Sequence, residues 1–340
     1  MKTVRLIILG HCMAFVVLFA VVATAAPRGI DPERISSRVA PGDRVTLQSG
    51  EHDDDDGELR ACSKSAKAVS KSCKDGVKAD HWLAVANCLN MSDEDEIEEC
   101  LEEAGEELEV AREECGDQHE ARMEICEELG EDPYTPEIDP ANFVEGIDNP
   151  WLPYLPGTTW VYEGETEDGL ERIVVEVTGD TREIMGVECT VVRDRVYLDG
   201  ELIEDTFDWY AQDLDGNVWY FGEITFELED EEIVSLEGSW EGGRDGAWPG
   251  IVMMAVPDVG DYYRQEMLLG EAEDMGEVLA LDASVSTEFG DYEGCVQTRD
   301  FTPIEPDALE YKYYAYGVGF VLEEKPEEEV RIELVEMTTM

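Results

Sequence analysis

Six cysteines, at positions 62, 73, 88, 100, 115 and 126, are separated by 11, 15, 12, 15 and 11 residues, a series that reads the same from either end about a centre near residue 94. From Leu59 to Leu129 the chain has no proline and is dominated by Ala, Glu, Lys and Leu, which predicts helix. Intervals of 11 and 15 lie close to whole numbers of helical turns, so the cysteines of each arm stay near one face and drift round it slowly. Two antiparallel arms would then set Cys88 opposite Cys100, Cys73 opposite Cys115 and Cys62 opposite Cys126. Of the pairings open to six cysteines, only this nested one uses the symmetry. Charge agrees: the first arm carries Arg60, Lys64, Lys67, Lys71, Lys74 and Lys78, the second Glu98, Glu99, Glu102, Glu103, Glu106, Glu107 and Glu109. The bend reads Asn90-Met91-Ser92-Asp93, with Ser92 the expected N-cap, and a break at Asp75-Gly76 would make three helices of two. Three staples of about 2–4 kcal/mol each would let a thin helical hairpin, residues 59–130, persist without a large core. A zinc or redox centre fits less well, because there is no CxxC pair and His81 and His119 lack the short spacings zinc sites favour.

Disulfides need an oxidising compartment. Residues 1–25 carry Lys2 and Arg5, an apolar run from Leu6 to Val22 and then Ala23-Thr24-Ala25, the pattern of a secretory signal peptide, so a secreted or periplasmic protein is expected. Cys12 lies inside the apolar run and receives no role. No second apolar stretch is long enough for a membrane span. The formal net charge is −59, or −61 without Lys2 and Arg5, which argues against nucleic acid or anionic membrane as partner. Two readings of the acidity remain: a salt-adapted surface protein, or carboxylate clusters that bind Ca²⁺ or another hard cation. Residues 26–58 read as a disordered linker, in which His52–Glu58 (HDDDDGE) is solvated low complexity before it is a metal site.

After a proline-rich connector, residues 131–156, expected to pack on the β region beyond it, the period switches to two. Asp168-Gly169 and Asp199-Gly200 mark hairpin turns, and the two aromatic runs of Asp208–Glu223 (DWYAQDLDGNVWYFGE) flank another. Three pairs of segments recur in order at offsets of 103 to 106 residues: GTTWVYEG from Gly157 with GDYYRQEM from Gly260, CTVVRD from Cys189 with CVQTRD from Cys295, and the aromatic hairpin with YKYYAYGVGFVLEE from Tyr311. The expected architecture is therefore α+β: a disulfide-stapled antiparallel helical hairpin, then a duplicated antiparallel meander over 157–340, with copies at about 157–223 and 260–336, forming a half-barrel or sandwich. One short helix is expected near Glu271–Leu281. Equivalent places in the two copies also suggest a Cys189–Cys295 bridge.

The aromatic hairpin, with EGSWEGGRDGAWPGIVM and YRQEMLLGEAEDM downstream, resembles a family of uncharacterised exported bacterial β domains over roughly Asn142 to Glu336. The resemblance implies a β fold and export, and brings no activity or site residues. Strand pattern alone is also similar to that of periplasmic lipid-carrier half-barrels.

Candidate sites follow from composition and spacing. The stretch between the copies, 237–259, is rich in glycine and reads as a mobile loop carrying large apolar side chains over a ligand. With the neighbouring cation it gives Trp240, Arg244, Trp248, Met253, Met254 and Arg264 as candidate ligand contacts, the alternative being that both tryptophans are core. Arg193 and Arg299, matched in the copies, read as structural partners of nearby acids. Asp213, Asp215 and Asn217 open like a Ca²⁺ loop, the one cofactor considered, but the twelfth place is Ile224 rather than Glu, and a hairpin turn explains them more simply. No histidine follows His119, which removes imidazole-activated nucleophiles and histidine-ligated zinc from the β region. The leading expectation is a non-catalytic binding or scaffold protein for a small, apolar or extended ligand on a curved sheet. The alternatives are the Ca²⁺-binding or salt-adapted surface protein and a glycoside hydrolase using two carboxylates.

Overall fold

A computed structural model describes residues 60–339; the expected leader (1–25) and acidic linker (26–58) lie outside the described residues. Helix α1 spans Ala61–Cys88 and α2 spans Glu94–Leu129, and α1 runs unbroken through Asp75-Gly76. Asp93, rather than Ser92, caps α2: its carboxylate accepts from the backbone N–H of Asp95 (3.0 Å) and Glu96 (3.3 Å). Glu94, Asp95 and Glu96 then occupy the first turn, where the helix dipole favours negative charge. Disulfides join Cys62–Cys126, Cys73–Cys115 and Cys88–Cys100 at Cα separations of 5.6, 5.9 and 5.6 Å. Few other side chains are buried here: Ser63, Ala66 and Ser70 on α1, and Ala104, Arg122 and Ile125 on α2. So small an apolar seam stabilises little by itself, which is the physical reason the hairpin needs its sulfur staples.

The strands are β1 (Phe143–Val144), β2 (Thr159–Thr166), β3 (Gly169–Ile184), β4 (Val187–Leu198), β5 (Glu201–Asp213), β6 (Val218–Glu229), β7 (Glu232–Ser235) and β8 (Trp240–Glu241). They continue as β9 (Trp248–Met253), β10 (Tyr262–Arg264), β11 (Glu266–Met267), β12 (Met275–Ser286), β13 (Asp291–Phe301), β14 (Leu309–Ala315), β15 (Gly319–Lys325) and β16 (Val330–Thr338). The β4–β5 turn shows why Asp-Gly was informative: Asp199 and Gly200 both have positive φ, 50° and 89°, which suits a tight hairpin between right-twisted strands.

Sheet order is β10-β12-β13-β14-β15-β16-β2-β3-β4-β5-β6-β9-β11, antiparallel throughout. It comprises two six-strand runs, β2-β3-β4-β5-β6-β9 and β10-β12-β13-β14-β15-β16, joined where β16 pairs with β2. Backbone bonding matches between them: Gly157 donates to Val177 and Val177 to Thr158, as Gly260 donates to Val278 and Val278 to Asp261. β10 bonds β12 while β11, one residue further along the chain, bonds β9, so a single stretch serves both ends of the sheet. The expected α+β architecture, a stapled helical hairpin followed by antiparallel β, is what the chain adopts, and its curved sheet goes on to a nearly closed barrel. Closure satisfies the edge groups that an open sheet would present.

Two expectations about local structure are corrected. The segment expected to contain a helix, Glu271–Leu281, enters β12, because Met275–Ser286 finds partners in β10 and β13. Gly276 is part of the reason, since a Cβ there would stand 2.6 Å from the Tyr263 ring. Part of the expected mobile loop is sheet as well: Trp240–Glu241 (β8) and Trp248–Met253 (β9) pair with β6. Gly222, at φ 131°, permits that approach, because any side chain would run into the Trp240 carbonyl.

The main core fills the barrel with Trp160, Tyr162, Tyr210, Tyr220, Ile332 and Leu334 among others. A second cluster of Ile184, Val187, Cys189, Val191, Trp209, Ala211 and Phe221 uses the alternate residues of β4 to β6, and connector residues Ile138 and Phe143 cover it. Cys189 belongs to this second cluster and Cys295 to the main core, so the expected bridge is absent and both are buried free thiols. The connector also packs into the barrel: Ile147, Leu152 and Tyr154 are buried, and Gln212 Oε1 accepts from the backbone of Asp148 and Asn149. The helical hairpin docks through Arg122, which makes a buried forked ion pair with Glu273 at 2.7 to 3.1 Å, and through Gln118, which donates to the Ile304 carbonyl at 2.8 Å.

Candidate functional site: a carboxyl-rich cleft inside the barrel

Strand alternation carries Glu204, Thr206, Asp208, Tyr210 and Gln212 of β5 to buried positions. On β6 the opposing residues are Glu227, Thr225, Glu223 and Tyr220, so carboxyls face carboxyls across the ladder at Glu204/Glu227 and Asp208/Glu223. The hydroxyls of Thr206 and Thr225 donate to Glu204 and Glu223 respectively, at 3.1 and 3.2 Å, and Tyr220 donates to Asp208 at 2.7 Å. Burial is the chief influence on these acids. It pushes Glu204 and Asp208 up to about 7, the Tyr220 hydrogen bond opposing the rise at Asp208. Glu223 is driven well above the carboxylate range by burial and then by its neighbours Asp208 and Glu266. Glu171 of β3 and Asp274 reach about 8, again by burial, with Lys325 and Lys312 respectively holding them back.

The corresponding part of the second run is built differently. Register on β13, β14 and β15 sets Asp300 opposite Glu310 and Lys312 opposite Glu323, where the first run has Asp194 opposite Thr206 and Asp208 opposite Glu223. Lys312 takes the place that Asp208 holds. Its ammonium lies 3.1 Å from Glu310, 3.4 Å from Asp300 and 3.9 Å from Glu323, and Lys325 lies 2.8 Å from Glu310. Burial alone would discharge Lys312, yet these three acids raise it well above its ordinary value and keep it cationic.

Between the two groups the barrel leaves a small, partly enclosed cleft. It is narrow, with room for roughly two or three waters as it stands. Tyr154, Trp160, Tyr162, Tyr210 and Phe320 give it aromatic walls, and Leu152, Ile173, Val175, Val192 and Ile332 complete the apolar surface. Its polar groups are Asp194, Asp208, Lys312 and Glu323.

None of the residues nominated from the sequence lines this cleft. Trp240 and Met253 are buried in the main core, Trp240 edge-on to Tyr220 at 5.3 Å, and Met254 packs against that core. Trp248 is a half-buried residue of β9, and exposed Arg244 pairs with Glu241 at 2.5 Å. Arg264 is buried over the Tyr134 ring at 5.6 Å, and burial lowers its pKa. Asp213 accepts from the Asn217 backbone and side chain, both 2.8 Å, and from the Trp219 indole at 2.9 Å, while Asp215 is exposed on the turn. These bonds make the Asp213–Asn217 segment a hairpin turn. No group of three or more His, Cys, Asp or Glu side chains arranged to hold a metal ion occurs among the described residues. Arg193 and Arg299 do pair with acids, Asp205 and Glu277, both at 2.7 Å. The cleft residues carry no distinguishing mark in the sequence, because a chain with 83 acids offers no contrast by which to select Asp194 or Asp208. The usable signal is an acid recurring on one strand face between apolar residues, as in Val192-Arg193-Asp194-Arg195-Val196.

No family model matches the chain, and no curated protein matches it. Among solved structures it is similar to the crystal structure of a putative lipoprotein from Parabacteroides distasonis, with 11% identity and a TM-score of 0.32 over 57% of this chain and 100% of that one. A likeness at that level carries no argument about this chain. No helix among the described residues is long and apolar enough to cross a membrane.

Proposed function

We propose that the protein is an exported, non-catalytic binding protein whose small or slender apolar ligand occupies the cleft inside the barrel. The observation that carries this reading is the cleft itself: a gap inside the barrel walled by five aromatic rings, with four polar groups. Export is supported by the leader pattern of residues 1–25 and by three disulfides, which persist only in an oxidising compartment. The resemblance of the Asp208–Glu223 hairpin to exported domains points the same way. A non-catalytic role is supported by the sequence, which places no histidine beyond His119 to activate a nucleophile. The binding residues are thus taken from the cleft walls rather than from 237–259, where Trp240, Met253 and Met254 belong to or pack against the main core and Arg244 is exposed.

Native mass spectrometry of the protein purified from an exporting host tests the proposal, with Val175→Trp as a variant whose cleft is filled. A co-purifying small molecule, present in the wild type and lost from the variant, is expected. A wild-type protein that is empty and takes up no compound from a library of apolar and amphiphilic molecules sinks it.

A further inference from the structure

The two halves of the barrel interior are matched in position and unmatched in charge. In the second run, Asp300, Glu310 and Glu323 surround an ammonium that the chain supplies itself, Lys312 Nζ, with Lys325 behind it. In the first run the corresponding set is Asp194, Thr206, Asp208 and Glu223, with Thr225 opposite Thr206. Three carboxyls remain and the ammonium is gone, its place taken by the Asp208 carboxyl. Among the described residues no Lys or Arg stands within 4.0 Å of Asp208, whose carboxyl accepts from the Tyr220 hydroxyl. Lys312, the one cation lining the cleft, is already committed to three acids of its own half.

Aromatic faces surround the same space. Tyr154, Trp160, Tyr162 and Tyr210 line the cleft beside Asp194 and Asp208. Ring faces carry partial negative charge and attract cations, above all methylated ammonium groups whose diffuse charge is weakly hydrated. An anion would meet the Asp194, Asp208 and Glu323 carboxyls and an ammonium, Lys312, already paired with three acids, and a neutral chain would gain mainly apolar contacts.

From this we infer that the ligand of the cleft is a small organic cation, an alkylated ammonium whose charged head stands by Asp208 and Asp194 as Lys312 Nζ stands by Asp300 and Glu323, with its apolar substituents against the aromatic walls. The inference rests on the cleft-binding function proposed above and adds the sign and chemistry of the ligand. It also implies linkage to protons. The titratable groups lining the cleft are Asp194 of β4, Asp208 of β5, Lys312 of β14, Glu323 of β15 and the hydroxyls of Tyr154, Tyr162 and Tyr210, and Glu171 of β3, Glu204 of β5, Glu223 of β6, Asp300 of β13, Glu310 of β14 and Lys325 of β15 are buried around them. Eight acids against two lysines keep some carboxyls neutral in the empty barrel, and a seated cation would ionise the nearest of them and release protons.

Three probes of one chain length separate the possibilities: hexyltrimethylammonium, hexan-1-ol and hexanoate, each titrated by calorimetry into the full-length mature protein at pH 7 in 0.5 M NaCl. Hexyltrimethylammonium is expected to bind at least tenfold more tightly than hexan-1-ol, and hexanoate more weakly than either. Titration in phosphate and in Tris is expected to show net proton release for the ammonium alone. Asp208→Asn should bring the ammonium to within about threefold of the alcohol, and Asp194→Asn provides the same measurement should the first variant fail to fold. Equal or tighter binding of hexan-1-ol, or absence of proton release, overturns the cationic ligand and leaves the cleft function standing. Failure of all three probes to bind overturns the cationic ligand, and the native mass spectrometry and library screen above then decide the cleft function separately. Ammonium binding that survives unchanged in Val175→Trp is adsorption to the acidic surface and also overturns the inference.

Discussion

Replacing Arg122 by methionine removes the side chain that holds the helical hairpin to the barrel. Its guanidinium forks onto Glu273 through three contacts, 3.1, 3.0 and 2.7 Å, and the two side chains are 5% and 2% exposed. After the substitution Glu273 keeps the Gly270 N–H at 2.7 Å and the more distant charge of Arg264, and loses its hydrogen-bonded counter-charge in a water-poor site. Breaking one side of such a pair costs about 3–5 kcal/mol, most of it the penalty of the stranded charge. Methionine fills the space of the aliphatic stem, so lost packing adds little. Glu273→Gln strands the guanidinium instead, which retains the Gln118 carbonyl at 3.2 Å, and about 2–4 kcal/mol is expected. With both partners replaced no charge is left buried, and the double variant should lose only about 1–2 kcal/mol, well short of the sum of the singles. Urea unfolding followed by tryptophan fluorescence measures all four proteins, and limited proteolysis between residues 130 and 156 reports undocking. Single variants that each cost under about 1 kcal/mol, in a cycle additive within about 0.5 kcal/mol, would refute a desolvated pair and with it this docking geometry.

Nesting makes the three staples nearly equal, although their separations of 64, 42 and 12 residues differ widely. With its neighbour intact each closes a short path, so Cys-to-Ser replacement of any one pair should cost roughly 3–4 kcal/mol by chain entropy; an outer pair dominating by about 2 kcal/mol or more in urea titrations would contradict this. The buried acids set the pH dependence. Glu204, Asp208 and Glu323 near 7, and Glu171 and Asp274 near 8, hold protons in the folded state that the unfolded chain has already lost above about pH 4.5, so stability is greatest at the acidic side and falls as pH rises towards 8. Urea midpoints at pH 5, 6.5 and 8 in 1 M NaCl, where surface repulsion is screened, should therefore decrease, and less so in Glu204→Gln; a midpoint that rises over this range would defeat the assignment. Cys189 and Cys295 should resist iodoacetamide in the native protein and react in denaturant without reductant, since burial also raises both thiol pKa values. Recovery of a Cys189–Cys295 peptide would show this to be wrong.

The helical hairpin was legible because every step in it is local. A helical period fixes which cysteines share a face, and a mirrored spacing fixes their partners once the chain folds back. The Asp199-Gly200 turn was legible for a similar reason, since two consecutive positive φ values select those residues. The bond between Cys189 and Cys295 was misread because equal chain position does not imply a shared environment. Cys189 sits in the small cluster beneath the connector, and the strands around Cys295 carry bulges that break simple alternation.

The amino-acid sequence by itself determined the stapled helices, the hairpin turns and the two-residue period of the strands, because each depends on contacts over a few residues or on spacing alone. Only the tertiary structure decided that the sheet nearly closes, through a stretch at Tyr262–Met267 that pairs with strands on both sides. Closure also decided which acids point inward. A carboxyl on a strand is equally at home in water or in a satisfied interior, and the difference is set by the curvature and register of strands a hundred residues apart.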